Sequence, residues 1–265
     1  MKKDRNEDID ISVPSKYNPL IEQALQNINS NIEIKTMWKI INVNAIDRLG
    51  MSDHGPIHFQ IVSNIALKLF RLLIKNGVEP AIVRDFELTE NHAELVILLA
   101  SLFHDLGMTI SRDGHEEFSL FLAKDYIKQV LDFLPIEERT IVSSETLHAI
   151  IGHRSDGEPL TMEAGIVRVA DALDMSHGRA RIAYEIGNVD IYSLSVSAIE
   201  GVEINAGTKK PIDIEITMNN SSGLFQVDEL LKKKLKGSGI EKYVGVRAII
   251  AGETEKKLLK EFVID

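Results

Sequence analysis

The chain has 265 residues, 44% of them hydrophobic and 26% charged, the balance of an ordinary globular protein with room for a substantial core in one large domain or two small ones. It contains no cysteine, which excludes disulfides, thiolate metal sites, iron–sulfur clusters and thiol nucleophiles. Its formal net charge of −10 argues against broad contact with a phosphate backbone, so nucleic acid is not the expected partner.

That charge is uneven. Residues 187–265 carry 11 Lys/Arg against 12 Asp/Glu, which leaves 19 against 28 for residues 1–186. An acidic half that must hold an anionic substrate needs cations in its site, and metal ions supply them. No apolar run reaches the roughly 18–20 residues of a spanning helix. The stretch Met1 to Asp8 has no apolar signal-peptide core. The expectation is therefore no membrane and a cytoplasmic location.

In chain order, Asn18-Pro19 opens a helix with Leu20, Ile21, Ala24, Leu25 and Ile28 at helical spacing. Ile34 to Leu49 repeats the pattern and stops at Gly50. Pro56 opens a helix that runs to Asn76-Gly77, with His58 in its first turn and His54 just ahead of it. Leu88 to Leu106 follows, with Thr89 as N-cap. Nine of the eleven residues Ala93–Phe103 are apolar, so this helix is apolar nearly all round and belongs in a core. Gly107 stands where a left-handed C′ glycine is expected, which puts His104 and Asp105 in the last turn. Further helices are expected from His115, from Ile136 to Gly152, and from Leu160 to Met175, with His153 at the edge of the second.

Beyond Gly178 the period changes from helical to two. Tyr192, Leu194, Val196 and Ala198 alternate with serines, and Ile212, Ile214, Ile216 and Met218 alternate with polar residues. An amphipathic helix over Leu224–Leu235 and a strand over Val244–Ile250 complete a small β-β-α-β module. The predicted fold is mainly α: a helical domain over 1–186, then a small α+β module over 187–265 whose half-buried strands leave room for a homo-oligomer.

All eight histidines lie between residues 54 and 177. His92, His148 and His177 have no acidic neighbour or demanding loop context and read as surface or core histidines. His58, His104, Asp105, His115, His153 and Asp171 each fall near a predicted helix end, and helix ends converge on one cavity in a bundle. A histidine and an aspartate closing a buried helix are costly unless they bind something. Imidazole and carboxylate together suit Fe, Mn, Co, Ni or Zn, with Mg possible.

The order His58…His104-Asp105…Asp171 resembles the HD superfamily of metal-dependent phosphohydrolases over about residues 50–186. Val62 and Ala66 after His58, and Val169-Ala170-Asp171-Ala172-Leu173-Asp174, are similar to that family's flanking patterns. The resemblance implies an all-helical bundle in which His58, His104, Asp105 and Asp171 hold one metal. Members with two metals add two histidines in the interval where His115 and His153 stand, and the resemblance favours this dinuclear form with Asp105 as the bridge. Many relatives have a lysine where Met108 stands here, which passes phosphate recognition to Arg112, Arg154, Arg179 or Arg181.

The expected activity is hydrolysis of a phosphoester by a metal-activated water. The substrate would be a nucleotide or a related phosphorylated small molecule. Arg154 and Arg179 would stabilise charge, and His54 would pass the proton to the leaving oxygen. The alternatives are a di-iron oxygenase of the same superfamily and a non-catalytic sensor or interaction protein.

Overall fold

The computed structural model describes residues 9–175 and 191–251. Along the first stretch run α1 (Pro19–Ser30), α2 (Ile32–Asn42), α3 (Pro56–Lys75), α4 (Ala81–Phe86), α5 (Glu90–Phe103), α6 (His115–Val130), α7 (Ile136–Gly152) and α8 (Met162–Leu173). Helix starts follow their local chemistry. The Asn18 side chain accepts from the amides of Leu20 and Ile21, with Pro19 at the first helical position. Pro56 opens α3. Thr89 and His92 cap the start of α5 reciprocally.

Helix α5 is the axis of the bundle. Every residue from His92 to Phe103 is buried, as its all-round apolar sequence predicts. Helices α3, α7 and α8 pack around it, and α6 closes over α7 and the turn that follows α5. Helix α3 is long and apolar enough by composition to cross a membrane, with a mean hydropathy of 1.4, but half of that window is buried inside the bundle. It is the one such helix among the described residues.

Two expectations in this half are corrected. The helix foreseen over Ile34–Leu49 is α2 followed by a wider π turn over Val43–Arg48, closed by Gly50 at φ 65°. That turn carries Asn44 Nδ2 to the Met108 and Thr109 carbonyls at 2.8 and 3.0 Å, tying α2 to the segment after Asp105. Gly107 is not left-handed. Helix α5 stops at Phe103, His104 is its C-cap, and Leu106–Thr109 forms a 3₁₀ turn. Glycine is needed at 107 for proximity: a Cβ there would lie 2.0 Å from the His115 carbonyl oxygen.

In the second stretch, α9 (Ile191–Ser197) replaces the strand expected over 192–198, and the first strand, β1, is Ile199–Ala206. The serine alternation misleads because Ser195 and Ser197 are buried. Ser195 Oγ accepts from Gln226 Nε2 at 2.8 Å, and Ser197 Oγ donates to the Leu194 carbonyl at 2.7 Å. Strands β2 (Ile212–Met218) and β3 (Val244–Ile250) lie where the period-two pattern puts them. The sheet order is β1-β2-β3, antiparallel between β1 and β2 (Ile204 opposite Ile214) and parallel between β2 and β3 (Ile214 opposite Val246). The link from β2 to β3 is a 3₁₀ turn (Ser221–Gly223), a π turn (Gln226–Leu231), a short α10 (Lys232–Leu235) and a second 3₁₀ turn (Glu241–Tyr243), where one amphipathic helix was expected over Leu224–Leu235. Ile212, Ile214, Ile216 and Met218 bury one face of β2. The sheet sits against α3, and α10 sits against α8. The boundary proposed at 186/187 lies outside the described residues.

Candidate metal centre

Three helix ends and two helix starts converge. His58 lies in the first turn of α3, His104 and His153 are the C-caps of α5 and α7, His115 opens α6, and Asp171 sits in the last turn of α8. The C-cap positions orient their rings. A helix end leaves carbonyls without amide partners, and the Nδ1–H groups of His104 and His153 donate to the carbonyls three residues back, Ser101 at 3.0 Å and Ile150 at 2.5 Å. His115 Nδ1 likewise reaches the Arg112 carbonyl at 3.0 Å. His58 Nδ1 instead meets Asp174 Oδ2 at 2.6 Å. With Nδ1 so engaged, the Nε2 atoms of His58, His104 and His153 present lone pairs inward, while His115 Nε2 lies 3.1 Å from Asp105 Oδ1.

Those lone pairs face one another. His58 Nε2 and His104 Nε2 stand 3.1 Å apart, an arrangement that repels unless a cation lies between them. Asp171 Oδ1 is 3.3 Å from His58 Nε2 and 3.8 Å from His104 Nε2. Asp105 Oδ2 is 3.7 and 3.5 Å from the same two atoms. Donors held at about 2.0–2.2 Å from one ion stand about 3–3.5 Å apart, and His58, His104 and Asp171 form a cluster able to hold an ion, with Asp105 Oδ2 beside it. The other oxygen of Asp105 looks the opposite way: Oδ1 is 3.1 Å from His115 Nε2 and 3.9 Å from His153 Nε2. His115 and His153, with Glu116, form a second cluster able to hold an ion. One carboxylate thus faces two donor sets.

Burial sets the protonation. It pushes the His104 and His153 imidazoles down against the pull of nearby carboxylates, keeping them neutral, and His153 is lowered further by His104 and Lys234. It pushes the Asp105 carboxyl up, but His104, the bond to His115 and nearby His54 together hold it well below the usual carboxylate range. The Asp171 carboxyl is likewise raised by burial and brought well down by Lys234, His58 and His104. Neutral imidazoles and ionised carboxylates are the forms that bind metal.

The HD domain family model matches residues 58–176, which span all six of these side chains. An uncharacterized protein of Methanocaldococcus jannaschii is 37% identical over 258 residues, covering 97% of this chain and 99% of that protein. This chain belongs to the HD superfamily. Two further relatives of this HD protein carry the name Ribonuclease Y. That of Onion yellows phytoplasma is 25% identical over 89% of this chain and 45% of its own length, and that of Desulforudis audaxviator is 31% identical over 63% of this chain and 30% of its own. The chain therefore spans less than half the length of the Ribonuclease Y proteins it matches. No solved structure matches it.

The remaining predicted residues fall as follows in the HD protein. His54 is buried beside His58, ring centroids 5.9 Å apart, with Nδ1 on the Ser52 carbonyl at 2.8 Å. Arg112 lies against His115, its guanidinium 3.0 Å from the ring. Arg154 bonds Glu117 at 2.5 Å and Asp156 at 3.2 Å. Arg179, Arg181 and His177 lie outside the described residues. Met108 is buried in the core. His92 completes the α5 cap and meets Glu138 at 3.1 Å, and His148 Nε2 accepts the Leu160 amide at 3.0 Å.

Four contributors were not foreseen. Asp174 orients His58. Glu116 joins the second donor cluster. Ser119 Oγ takes the Gly107 amide at 2.8 Å and reaches the His104 and His115 carbonyls at 2.6 and 2.7 Å, stapling the two clusters together. Lys234 Nζ bonds Asp171 Oδ2. Asp174 was within reach of sequence reading as the polar residue three after Asp171. The others act through spatial neighbours.

Proposed function

We propose that this HD protein is a metal-dependent phosphohydrolase that cleaves a nucleotide-type phosphoester at a dinuclear His/Asp centre. The observation that carries the reading is Asp105, whose two oxygens face separate donor sets, Oδ2 towards His58 and His104 and Oδ1 towards His115 and His153. When bound, divalent transition ions supply Lewis acidity and lower the pKa of the water they hold.

The chain's own groups do the rest. His58, His104, Asp105 and Asp171 would hold one ion, and Asp105, His115 and His153 would hold the other, with Glu116 at hand. His54 donates its Nδ1–H to the Ser52 carbonyl, so its Nε2 would take a proton from the attacking water and, as the imidazolium, pass it to the leaving oxygen. The apolar walls from α5 exclude water and strengthen every charge interaction inside. Relatives named Ribonuclease Y extend the substrate class to be tried to phosphodiesters of short oligoribonucleotides. The acidic balance of the chain favours small substrates over long ones.

The test is hydrolysis of nucleotides, cyclic nucleotides and a short oligoribonucleotide with Mn²⁺ or Fe²⁺ added, read by chromatographic separation of the products. Turnover that His104→Ala abolishes supports the reading. No turnover across the panel, or turnover that needs O₂, overturns it in favour of sensing or oxygenase chemistry.

A further inference from the structure

Helix α8 offers one face to the segment that leads into β3, through residues spaced three apart. At Gly165 an added Cβ would lie 1.9 Å from the Ser238 carbonyl oxygen, so the two backbones touch. Arg168, 3% exposed, gives its guanidinium wholly to carbonyls. Nε donates to Lys234 at 3.0 Å, Nη2 to Ser155 at 2.8 Å and Lys233 at 3.3 Å, and Nη1 to Gly157. It thereby clamps the loop after His153 to α10. At Asp171, one turn further, Oδ2 receives the Lys234 ammonium while Oδ1 faces the histidines.

The lysine run of α10 divides by direction. Lys232 and Lys233 point outward and pair with Asp228 and Glu229 four residues back. Lys234 points inward, with 13% of its side chain exposed. The ammonium thus sits on the carboxylate whose other oxygen faces the first donor set, and its charge also lowers the His153 imidazole. An ammonium has three hydrogens to donate, and Asp171 takes one. Among the described residues the other cations near the centre are committed differently: Arg154 to Glu117 and Asp156, Arg168 to carbonyls, Arg112 against the His115 ring. The position of Met108 offers no cation, only a buried thioether.

We propose that Lys234, delivered by the segment between β2 and β3, is the cation that grips a substrate phosphoryl oxygen at this centre, so that the C-terminal region completes the site. This rests on the phosphohydrolase reading above. Asp171 holds the ammonium in place before substrate arrives, and the phosphoryl oxygen takes the hydrogens directed away from Asp171.

The experiment uses the full chain loaded with Mn²⁺, as wild type, Lys234→Met, Lys234→Arg and, as a control on an exposed side chain, Lys232→Met. Manganese per chain is measured by elemental analysis, and affinity for inorganic phosphate by calorimetry. The expected result is unchanged manganese in all four proteins, phosphate affinity at least tenfold weaker in Lys234→Met, partly restored in Lys234→Arg, and unchanged in Lys232→Met. KM should rise with the same pattern. Wild-type phosphate affinity in Lys234→Met overturns the proposal, as does loss of manganese, which would make Lys234 a support for Asp171 alone. If the wild type itself neither binds phosphate nor hydrolyses the panel, the phosphohydrolase reading falls and takes this proposal with it. If the wild type does both and Lys234→Met matches it, only the role of Lys234 falls.

Discussion

Asp174 Oδ2 lies 2.6 Å from His58 Nδ1, joining residues 116 apart in sequence. The carboxylate fixes which nitrogen of His58 carries the proton and turns Nε2 towards His104 and Asp171. Asp174 follows Asp171 by one turn, so the end of α8 contributes both a candidate ligand and the group that orients another. Asp174→Ala should weaken metal binding about 10–100-fold, because an unheld imidazole loses orientation and basicity. Competition against a chelator of known affinity measures this, and an unchanged affinity would count against the orienting role.

Gly107 and Gly77 separate two reasons for glycine. Gly77 is left-handed at φ 75° with open space around it, while Gly107 has ordinary φ and the His115 carbonyl 2.0 Å from where a Cβ would sit. Gly77→Ala should cost about 1–2 kcal/mol, the strain of a left-handed residue. Gly107→Ala must push α6 away from α5, an overpacking cost of about 3 kcal/mol, and it should lower the melting temperature by about 6–12 °C. It should also loosen the His115 cluster, which Gly77→Ala should leave intact. Thermal melts of both variants check the order, and a more damaging Gly77→Ala would reverse it.

Arg168 is the clamp between α8, the loop after His153 and α10. Arg168→Ala leaves carbonyls of Ser155, Gly157, Lys233 and Lys234 without the donor they share. Charged hydrogen bonds of this kind contribute about 1.5–3 kcal/mol each in isolation, but one side chain serves all four, so the expected loss is about 3–4 kcal/mol in denaturant unfolding. A loss under 1 kcal/mol would mean that α10 is held by its apolar contacts alone.

Much of this architecture could be read from local sequence. The all-apolar stretch of α5 announced a buried axis, and Pro19, Pro56 and His115 marked helix starts that the structure keeps. The six donor side chains were legible because helix termini can be located from capping chemistry and period. What could not be read was pairing across the fold. Nothing in the local pattern says that Lys234 reaches Asp171, 63 residues away, or that Ser119 staples His104 to His115. The strand expected at 192–198 failed for the same reason: burial of Ser195 against Gln226 inverts the face that alternation implies. Gly107 was recognised as necessary, but its cause is a neighbouring carbonyl that only the packed bundle supplies.

The central claim is that Asp105 bridges two ions. It is tested most directly by metal content after anaerobic reconstitution with Fe²⁺ or Mn²⁺ and removal of loosely bound metal, compared across wild type, His115→Ala and Asp105→Ala. The account predicts about two ions per chain in the wild type, about one in His115→Ala, and essentially none in Asp105→Ala, since one carboxylate serves both donor sets. A wild type with a single ion that His115→Ala leaves in place, or an Asp105→Ala protein that keeps its metal, would contradict it.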